Sequence, residues 1–395
     1  MPAILVPHAG TDPLILEVGF GATAVDLAGP PGTTGEAAVG LVRTALDHPP
    51  GGPPLAAHAV PGDRVAVALA GAVPQPTAVI AALRSALSTV DAVAGAPVVL
   101  AAHGADAPVP GGATAFTGRT AAETAYLTAD EAGRPLYLAR ALVDADLVVE
   151  VASWQWDAAL HAADPTLAVW PAFGRAGSAT PLERQLARRG RKGLEAWTLA
   201  AERMRWHLGV TACLRLVPGR DGTLLAACFG APSAAAAAAR TGAMGWRPRI
   251  AAPAALAVAT LSPFATGLAS FTRAVAAAAR VTTPDGTICV IGDVAAPGPV
   301  FRRWREGVAI RALVTEAVAG RDPALVADAV QARLFARALG SRRLVLLSSL
   351  DAALVEELDF GNARSPEAIE RLAARAASLV VLREADLLWP RHPGG

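Results

Sequence analysis

The sequence of 395 residues is poor in lysine, cysteine and aromatic side chains. Lys192 is the single lysine, and arginine supplies every other basic side chain. We attribute this to the coding bias of a GC-rich genome, which also accounts for the abundance of alanine. The three cysteines, Cys213, Cys228 and Cys289, are scattered and form no CxxC pair. Their spacing excludes a disulfide framework and indicates a reducing compartment, the cytoplasm.

An excess of charge of one sign is also missing, with 35 basic and 34 acidic residues. This balance gives no electrostatic basis for binding nucleic acid or an anionic membrane. No basic segment followed by an apolar run opens the chain, so we expect no signal peptide. The uncharged stretch 251–271 is long enough to span a membrane, but Pro253, Pro263 and Gly267 interrupt it. It predicts a strand, a turn and the start of a helix.

Apolar runs bounded by turn residues predict buried strands. These runs lie at 65–70, 98–102, 147–151, 223–228, 256–260, 287–291, 344–347 and 379–382. Alanine- and leucine-rich segments predict helices at 77–90, 181–208, 232–243, 270–281, 299–311, 324–339 and 366–377. Ser365 before Pro366 is typical of a helix N-terminus.

The alternation of strand and helix along the chain predicts its domain organisation. A chain of this length exceeds what a single hydrophobic core usually supports. We therefore predict an α/β protein of two doubly wound (Rossmann-like) domains, 1–245 and 246–395, facing each other across a cleft.

Common catalytic and nucleotide-binding motifs are missing from the sequence. Residues 19–24 fit GxGxxA, but the residues that follow predict an extended segment instead of the helix start that a dinucleotide requires. The sequence contains no GxxxxGK[ST], HExxH or GxSxG. No two of the seven histidines lie three or four residues apart, which excludes a helical pair of metal ligands. We expect the basic cluster 184–192 on a solvated helix face, although it could also form an anion site.

Several segments, taken in order, resemble the nickel-dependent lactate racemases. Residues 42–87 contain PPGGPPLAAHAVPGDRVAVALAGAVPQP, which is similar to the N-terminal domain of that family. DADLVVEVASWQW at 144–156 and TPLERQLARRG at 180–190 are similar to later parts of the same domain. SPFATGLASFTRAV at 262–275 and VQARLFARALGSRRLVLL at 330–347 are similar to the C-terminal domain. The resemblance covers nearly the whole chain, although each motif is loose.

The resemblance implies a particular chemistry. In that family a pyridinium dithio-dicarboxylate mononucleotide carries nickel and is often tethered to a lysine. The cofactor takes a hydride from the α-carbon of a 2-hydroxy acid and returns it to either face. Two histidines act as acid and base on the hydroxyl, a third binds nickel, and basic residues hold the substrate carboxylate.

Most of the side chains that perform this chemistry are replaced in the present sequence. The family's aspartate and arginine after the first strand fall on residues 71–74, where neither is present. Its tethering lysine falls on Leu167, and its nickel-binding histidine falls near Leu182 or Glu183. Its C-terminal tyrosine falls on Ala269. The replacements imply that a nickel-pincer mononucleotide, if it binds at all, is held without a covalent tether.

Five residues remain as candidates for a site. His103 lies about two positions from the family's first acid–base histidine, Asp157 occupies the place of the second, and His161 is close by. We take these three as candidate catalytic residues. Asp106, and Arg273 at the place of a family lysine, are candidates for binding substrate or cofactor. The sequence identifies no metal ligand.

These replacements leave three hypotheses open. The leading one is a divergent isomerase of the 2-hydroxy-acid racemase or epimerase type, with altered chemistry. The second is a non-catalytic ligand-binding or interaction protein on the same scaffold. A third, an unrelated α/β enzyme that uses a nucleotide, lacks the glycine fingerprint. We predict that the C-terminal ends of the strands line the cleft and that His103, Asp157 and Arg273 meet there. We expect a small 2-hydroxy acid or a related molecule as the ligand.

Overall fold

The computed structural model describes residues 3–7, 13–50, 52–88, 95–102, 109–163, 169–265 and 267–392. The strands are β1 (Ala3–Val6), β2 (Leu14–Glu17), β3 (Thr23–Leu27), β4 (Val65–Ala70), β5 (Val98–Ala102), β6 (Thr114–Ala115), β7 (Thr124–Ala129), β8 (Pro135–Ala139), β9 (Leu147–Ser153), β10 (Trp156–Asp157), β11 (Ala162–Ala163), β12 (Cys213–Pro218), β13 (Leu224–Gly230), β14 (Ala254–Thr260), β15 (Thr282–Ile291), β16 (Arg343–Leu347), β17 (Gly361–Asn362) and β18 (Ser378–Leu382). The helices are α1 (Gly35–Asp47), α2 (Pro76–Ser88), α3 (Arg140–Val143), α4 (Thr180–Arg189), α5 (Arg191–His207), α6 (Pro232–Gly242), α7 (Gly267–Ala279), α8 (Pro299–Arg305), α9 (Ile310–Ala319), α10 (Pro323–Leu339), α11 (Ala352–Glu357) and α12 (Pro366–Arg375).

The first domain is built on a six-stranded sheet in the order β13-β12-β9-β4-β5-β6. Its pairs are parallel except for the antiparallel edge pair β12–β13. Every residue of β4 is buried, because helices cover both faces of the sheet. Val67 and Leu69 belong to the core that contains α1 and α2, whereas Ala68 packs in the core that contains Leu182 and Met204.

The second domain is built on a wholly parallel six-stranded sheet in the order β17-β16-β15-β14-β18-β3. Its edge strand β3 comes from the N-terminus of the chain, and Arg383 secures it through an ion pair of 2.8 Å with Asp26. The hairpin β1–β2 also packs on this domain, since Leu14 and Leu16 share a core with β14 and β18. The strands β1, β2 and β3 therefore depart from the predicted division at 245/246, because β3 pairs with β18 and the hairpin β1–β2 packs on the same domain.

Tryptophans join the two domains. Trp156 follows the first sheet, donates its indole N–H to the Ala243 carbonyl over 2.9 Å, and packs edge-to-face on Trp389 of the second domain. Arg247 lies over both rings, 4.5 Å from the Trp156 centroid and 4.7 Å from that of Trp389. Trp246 is buried so close to Gly29 that a Cβ there would lie 2.2 Å from the indole. The domains are thus packed together across an aromatic, apolar interface.

The segments predicted as strands and helices form strands and helices in the structure. The bounds of two predicted helices differ, because a glycine ends each of them early. The predicted helix 181–208 divides into α4 and α5 at Gly190, whose φ is +57°. The predicted helix 299–311 divides into α8 and α9, since Gly307 has a φ of +98°. Ser365 precedes α12 as expected, but its side chain makes no capping hydrogen bond. The helix α1, the strand β12 and the hairpins β1–β2 and β7–β8 are among the elements that were not predicted.

The uncharged stretch 251–271 forms the predicted strand, turn and helix start, as β14 and the beginning of α7. Within the described ranges, no helix has both the length and the apolar character needed to cross a membrane.

Candidate functional site

A cavity of about 440 Å³ lies between the two domains, and we call it the interdomain cavity. The first domain contributes the segment after β9, together with α4 and α5. The second domain contributes α7 and α10. The prediction that strand ends of both domains line the cleft is therefore wrong for the second domain, where helices supply the wall. Residues of α7 and α10 face the first domain across the cavity.

The interdomain cavity brings together four positions at which the resemblance implies catalytic side chains. Asp157, Glu183, Ala269 and Arg273 all line it. His161 lies beside it in a smaller pocket described below. The candidates His103 and Asp106, and also Leu167, lie outside the described residues. Two of the three residues predicted to share the cleft, Asp157 and Arg273, thus do so.

Asp157 is held in place by the chain that leaves the first sheet. It ends β10, whose antiparallel partner β11 turns the chain back immediately. Its Oδ1 accepts a hydrogen bond of 2.7 Å from the Leu160 amide. Burial raises the pKa of this carboxyl, while the positive charge of Arg273 and backbone hydrogen bonds oppose the rise. Asp157 is therefore a carboxyl that holds its proton more tightly than an exposed aspartate does.

Arg273 places a positive charge in the wall formed by α7. Its Nε donates to the Asp386 carbonyl over 3.2 Å, and its Nη2 donates to the Ser270 hydroxyl over 2.9 Å. The buried Asp386 carboxyl accepts from the amide and the hydroxyl of Ser262. These bonds fix the orientation of the guanidinium, which can then pair with an anionic group in the cavity.

Two further carboxyls line the interdomain cavity, and burial raises the pKa of both Glu183 and Asp328. Asp328 extends from α10 and accepts from the amides of Val300 and Phe301 at the start of α8. A Cβ at Gly298 would lie 2.4 Å from Asp328 Oδ2, so only glycine permits this approach. The other oxygen, Oδ1, is buried without a hydrogen-bond partner among the described residues.

Sequence reasoning missed Asp328 as a site residue, although a signal was present. Asp328 and Gln331 are three residues apart, so they lie on one face of a helix that is otherwise rich in apolar residues. Both line the interdomain cavity beside Val330 and Leu334. Two polar residues at helical spacing in an apolar segment indicate that this helix face borders a cavity. They do not indicate which cavity of the protein it is.

A second pocket of about 180 Å³ lies next to the first, and we call it the arginine pocket. His161, Arg280, Arg337 and Arg342 line it. His161 has a left-handed backbone, with a φ of +53°, in the turn between β10 and β11. Burial lowers the pKa of its imidazole, and the charges of Arg280 and Arg337 lower it further. Positive charge therefore dominates this pocket.

The described lining does not fit a lysine-tethered nickel-pincer mononucleotide. A tether requires an amine, and the single lysine, Lys192, is exposed on α5 and does not line the cavity. Nickel favours imidazole, yet the described lining of the interdomain cavity offers carboxyls and no histidine. The resemblance implies the nickel-binding histidine near Leu182 or Glu183, and of these two Glu183 lines the cavity. Across the described residues, no group of three or more His, Cys, Asp or Glu side chains could hold a metal ion.

Comparison with known proteins identifies the fold. No family model matches the sequence, and no curated protein matches it. The structure is similar to that of the lactate racemase apoprotein from Thermoanaerobacterium thermosaccharolyticum, with a TM-score of 0.71, 14% sequence identity, and coverage of 99% of this chain and 100% of that chain. It is also similar to a protein from Thermotoga maritima, with a TM-score of 0.64, 12% identity, and coverage of 93% of this chain and 100% of that chain. The two-domain α/β fold expected from the resemblance is thus confirmed.

Proposed function

We propose that this chain, which shares the lactate racemase fold, binds a small hydroxy acid in the interdomain cavity and does not racemise lactate. One observation carries the proposal: positions 157, 183, 269 and 273 line a single cavity, although three of the four carry residues unlike those of the racemases and Arg273 keeps only the cation. This arrangement supports a ligand site between the domains at the place that the resemblance implies, with different side chains.

The side chains of the cavity suit a small organic acid. Arg273 is oriented by two hydrogen bonds and can pair with a carboxylate. The raised pKa of Asp157 and of Glu183 lets either carboxyl donate a hydrogen bond to a ligand oxygen when it is protonated. Leu160, Leu194 and Leu268 supply apolar wall for the carbon skeleton. A volume of about 440 Å³ is ample for a ligand of a few carbon atoms.

Asp157 is the residue we assign to proton exchange in this site. Its carboxyl is buried and burial raises its pKa, which suits a group that exchanges a proton with a ligand. It replaces one histidine of an acid–base pair, and general acid–base groups each typically contribute about 10²–10⁴-fold to a rate. Among the described residues that line the cavity, no histidine supplies the acid–base pair that the racemase route requires. Binding is therefore the function we favour, and an isomerase acting on another 2-hydroxy acid is the alternative.

Calorimetric titration with D-lactate and with L-lactate, each as a single enantiomer, tests this proposal. We expect saturable binding of lactate. Arg273→Gln should weaken the affinity by about tenfold, because one charge-assisted hydrogen-bonded pair with the carboxylate is lost. Arg273→Lys should retain part of the affinity, and Ala269→Phe should abolish binding by filling the cavity. The enantiomer ratio should stay constant during incubation with the protein.

Arg43→Gln is the matched control, since it removes one exposed arginine from α1, away from the cavity. It should leave the affinity unchanged. Failure of both lactate enantiomers to bind, or equal losses in Arg43→Gln and Arg273→Gln, would contradict the hydroxy-acid site. Conversion of one enantiomer into the other would contradict the absence of racemisation. We propose a cytoplasmic location for this function, because the three scattered cysteines of the sequence form no CxxC pair.

A further inference from the structure

We propose that the arginine pocket is a binding site for a phosphate-type dianion, separate from the interdomain cavity and independent of the hydroxy-acid proposal. The β10–β11 turn of the first domain supplies His161, α7 leads into Arg280, and α10 and its following turn supply Arg337 and Arg342. Elements of both domains thus converge on a pocket of about 180 Å³, a volume that accommodates a tetrahedral anion.

The charge in the arginine pocket has no carboxylate partner among the described residues. No ion pair of Arg280, Arg337 or Arg342 with a carboxylate is formed among the described residues, whereas other arginines, such as Arg305 and Arg383, have such partners. Burial lowers the pKa of the Arg280 guanidinium, as expected of a cation that is partly removed from water. Desolvating a cation is costly unless an anion pairs with it. A bound dianion would supply the missing negative charge.

Enough N–H donors remain to hold such an anion. A guanidinium has five N–H groups, and Arg280 uses its Nε on the Pro390 carbonyl, over 2.9 Å. Arg342 donates to the carbonyls of Thr282 and Leu339, which fixes its position and still leaves N–H groups. Arg337 is exposed at the mouth of the pocket. A guanidinium binds two phosphate oxygens through a pair of N–H groups. Two of these three arginines would therefore be enough to contact the oxygens of one phosphate.

Buried N–H groups without hydrogen-bond partners near the pocket also support an anion site. The indole of Trp389 packs against the His161 ring, with centroids 6.4 Å apart, and the Arg280 guanidinium lies 5.8 Å from its centroid. Trp389 Nε1, Arg247 Nε and Arg391 Nε are buried and have no hydrogen-bond partner among the described residues. Buried polar groups are nearly always hydrogen-bonded, and an ion is one explanation for those that are not. This part of the domain interface therefore contains indole and guanidinium N–H groups without acceptors among the described residues.

Two kinds of ligand could supply the dianion, inorganic phosphate and a phosphate monoester. Ala159 and Leu334 line both the arginine pocket and the interdomain cavity, so the two spaces adjoin. Inorganic phosphate could occupy the pocket alone. A phosphate monoester could instead place its phosphate among the arginines and its organic part in the interdomain cavity. Both sources share the same recognition of phosphate oxygens.

Titration of the full chain with inorganic phosphate, in a phosphate-free and sulfate-free buffer, tests the site. We expect saturable binding at one site, weakened about tenfold or more by Arg337→Gln, since one charge-assisted contact is lost. Arg337 is exposed and on a helix surface, so this variant should fold. Arg337→Lys should bind better than Arg337→Gln, and Arg43→Gln should bind as the wild type does. Arg273→Gln should still bind phosphate, which separates this test from that of the hydroxy-acid site.

Propyl phosphate distinguishes the two sources. Tighter binding of propyl phosphate than of phosphate, with the difference removed by Ala269→Phe, would identify a phosphorylated organic ligand. Equal affinities would identify free phosphate, and either result supports the pocket. As a second readout, phosphate should raise the pKa of His161 in an NMR titration of the histidine rings. Absence of saturable binding to the wild type, or binding unaffected by Arg337→Gln with no change at His161, would overturn the proposal.

Discussion

Two buried carboxyls, seven residues apart on one segment, have opposite surroundings. Glu150 lies within β9 and is fully buried. Arg205 donates two hydrogen bonds to its carboxylate, of 2.8 and 3.1 Å, and Arg215 forms an ion pair of 2.8 Å with it. Asp157 follows the same strand, and Arg273 acts on it only through the electrostatic field. A buried acid with bonded arginines is part of the scaffold, whereas one without them is available to a ligand.

The difference shows how the first domain can hold a site at its surface without losing stability. The Glu150 cluster ties β9, β12 and α5 together beneath the point where the chain leaves the sheet. Asp157 then extends from a firmly held strand into the interdomain cavity. A functional group placed beyond a rigid element keeps its position although its own charge is poorly compensated.

Breaking the Glu150 cluster should give the largest effect. Glu150→Gln leaves Arg205 and Arg215 buried around a neutral amide, and we expect a loss of about 3–5 kcal/mol in the free energy of unfolding. Equilibrium unfolding in urea measures this loss. Glu131→Gln, which removes the carboxylate from an exposed pair with Arg203, should cost below about 1 kcal/mol. Similar values for the two variants would show that Glu150 is not a structural anchor.

Glu384 should give the next largest effect, seen in the pH dependence of stability. Burial, helped by the nearby Asp386 and Asp221, raises the pKa of Glu384 to about 7. The folded state therefore holds the proton more tightly than the unfolded state. This contribution to stability is fully present below the ordinary glutamate pKa of 4.5 and is lost as the pH rises through 7.

We expect the free energy of unfolding to fall by about 2 kcal/mol from pH 5 to pH 8 through this group. Glu384→Gln should remove that part of the slope, because the amide does not ionise. Glu202→Gln, on the exposed face of α5, is the control and should keep the slope of the wild type. Urea unfolding at several pH values measures both. An unchanged slope in Glu384→Gln would refute the assignment.

Asp157→Asn should give the smallest effect on stability and sharpen the contrast with Glu150. The amide oxygen can still accept from Leu160, and no charge needs to be desolvated. Because burial raises the pKa of Asp157, its stabilising contribution is present at low pH and lost as the pH rises through that pKa. At pH 8 the variant should be as stable as the wild type or more so, within about 1 kcal/mol. A loss as large as that of Glu150→Gln would make Asp157 a scaffold residue.

Most of the fold was predictable because its strands are continuous apolar runs. The strands β4 and β5 have the predicted bounds, since turn residues limit buried parallel strands sharply. The strand β12 escaped prediction because Arg215 interrupts its apolar run, and only the ion pair with Glu150 allows a charged residue to be buried there. The place of β3 in the second sheet was not predictable, since pairing between residues 357 apart, such as Asp26 and Arg383, leaves no local pattern.

The candidate site was predictable in part. Asp157 and Arg273 were identified from the resemblance, and both line the interdomain cavity. Asp328 and the arginine pocket were not identified, because their side chains come from helices and turns far apart in the sequence. The arginines of the pocket look like ordinary solvated residues when each is taken alone.

The sequence by itself determined the alternation of strand and helix, the absence of a lysine at position 167, and the absence of most side chains that the resemblance implies for catalysis. Those properties depend on local patterning and on residue identity. Only the tertiary structure decided which carboxyls are neutralised and which are not. The pKa of a side chain depends on burial and on the charges around it, and these come from elements that meet only when the two domains pack together.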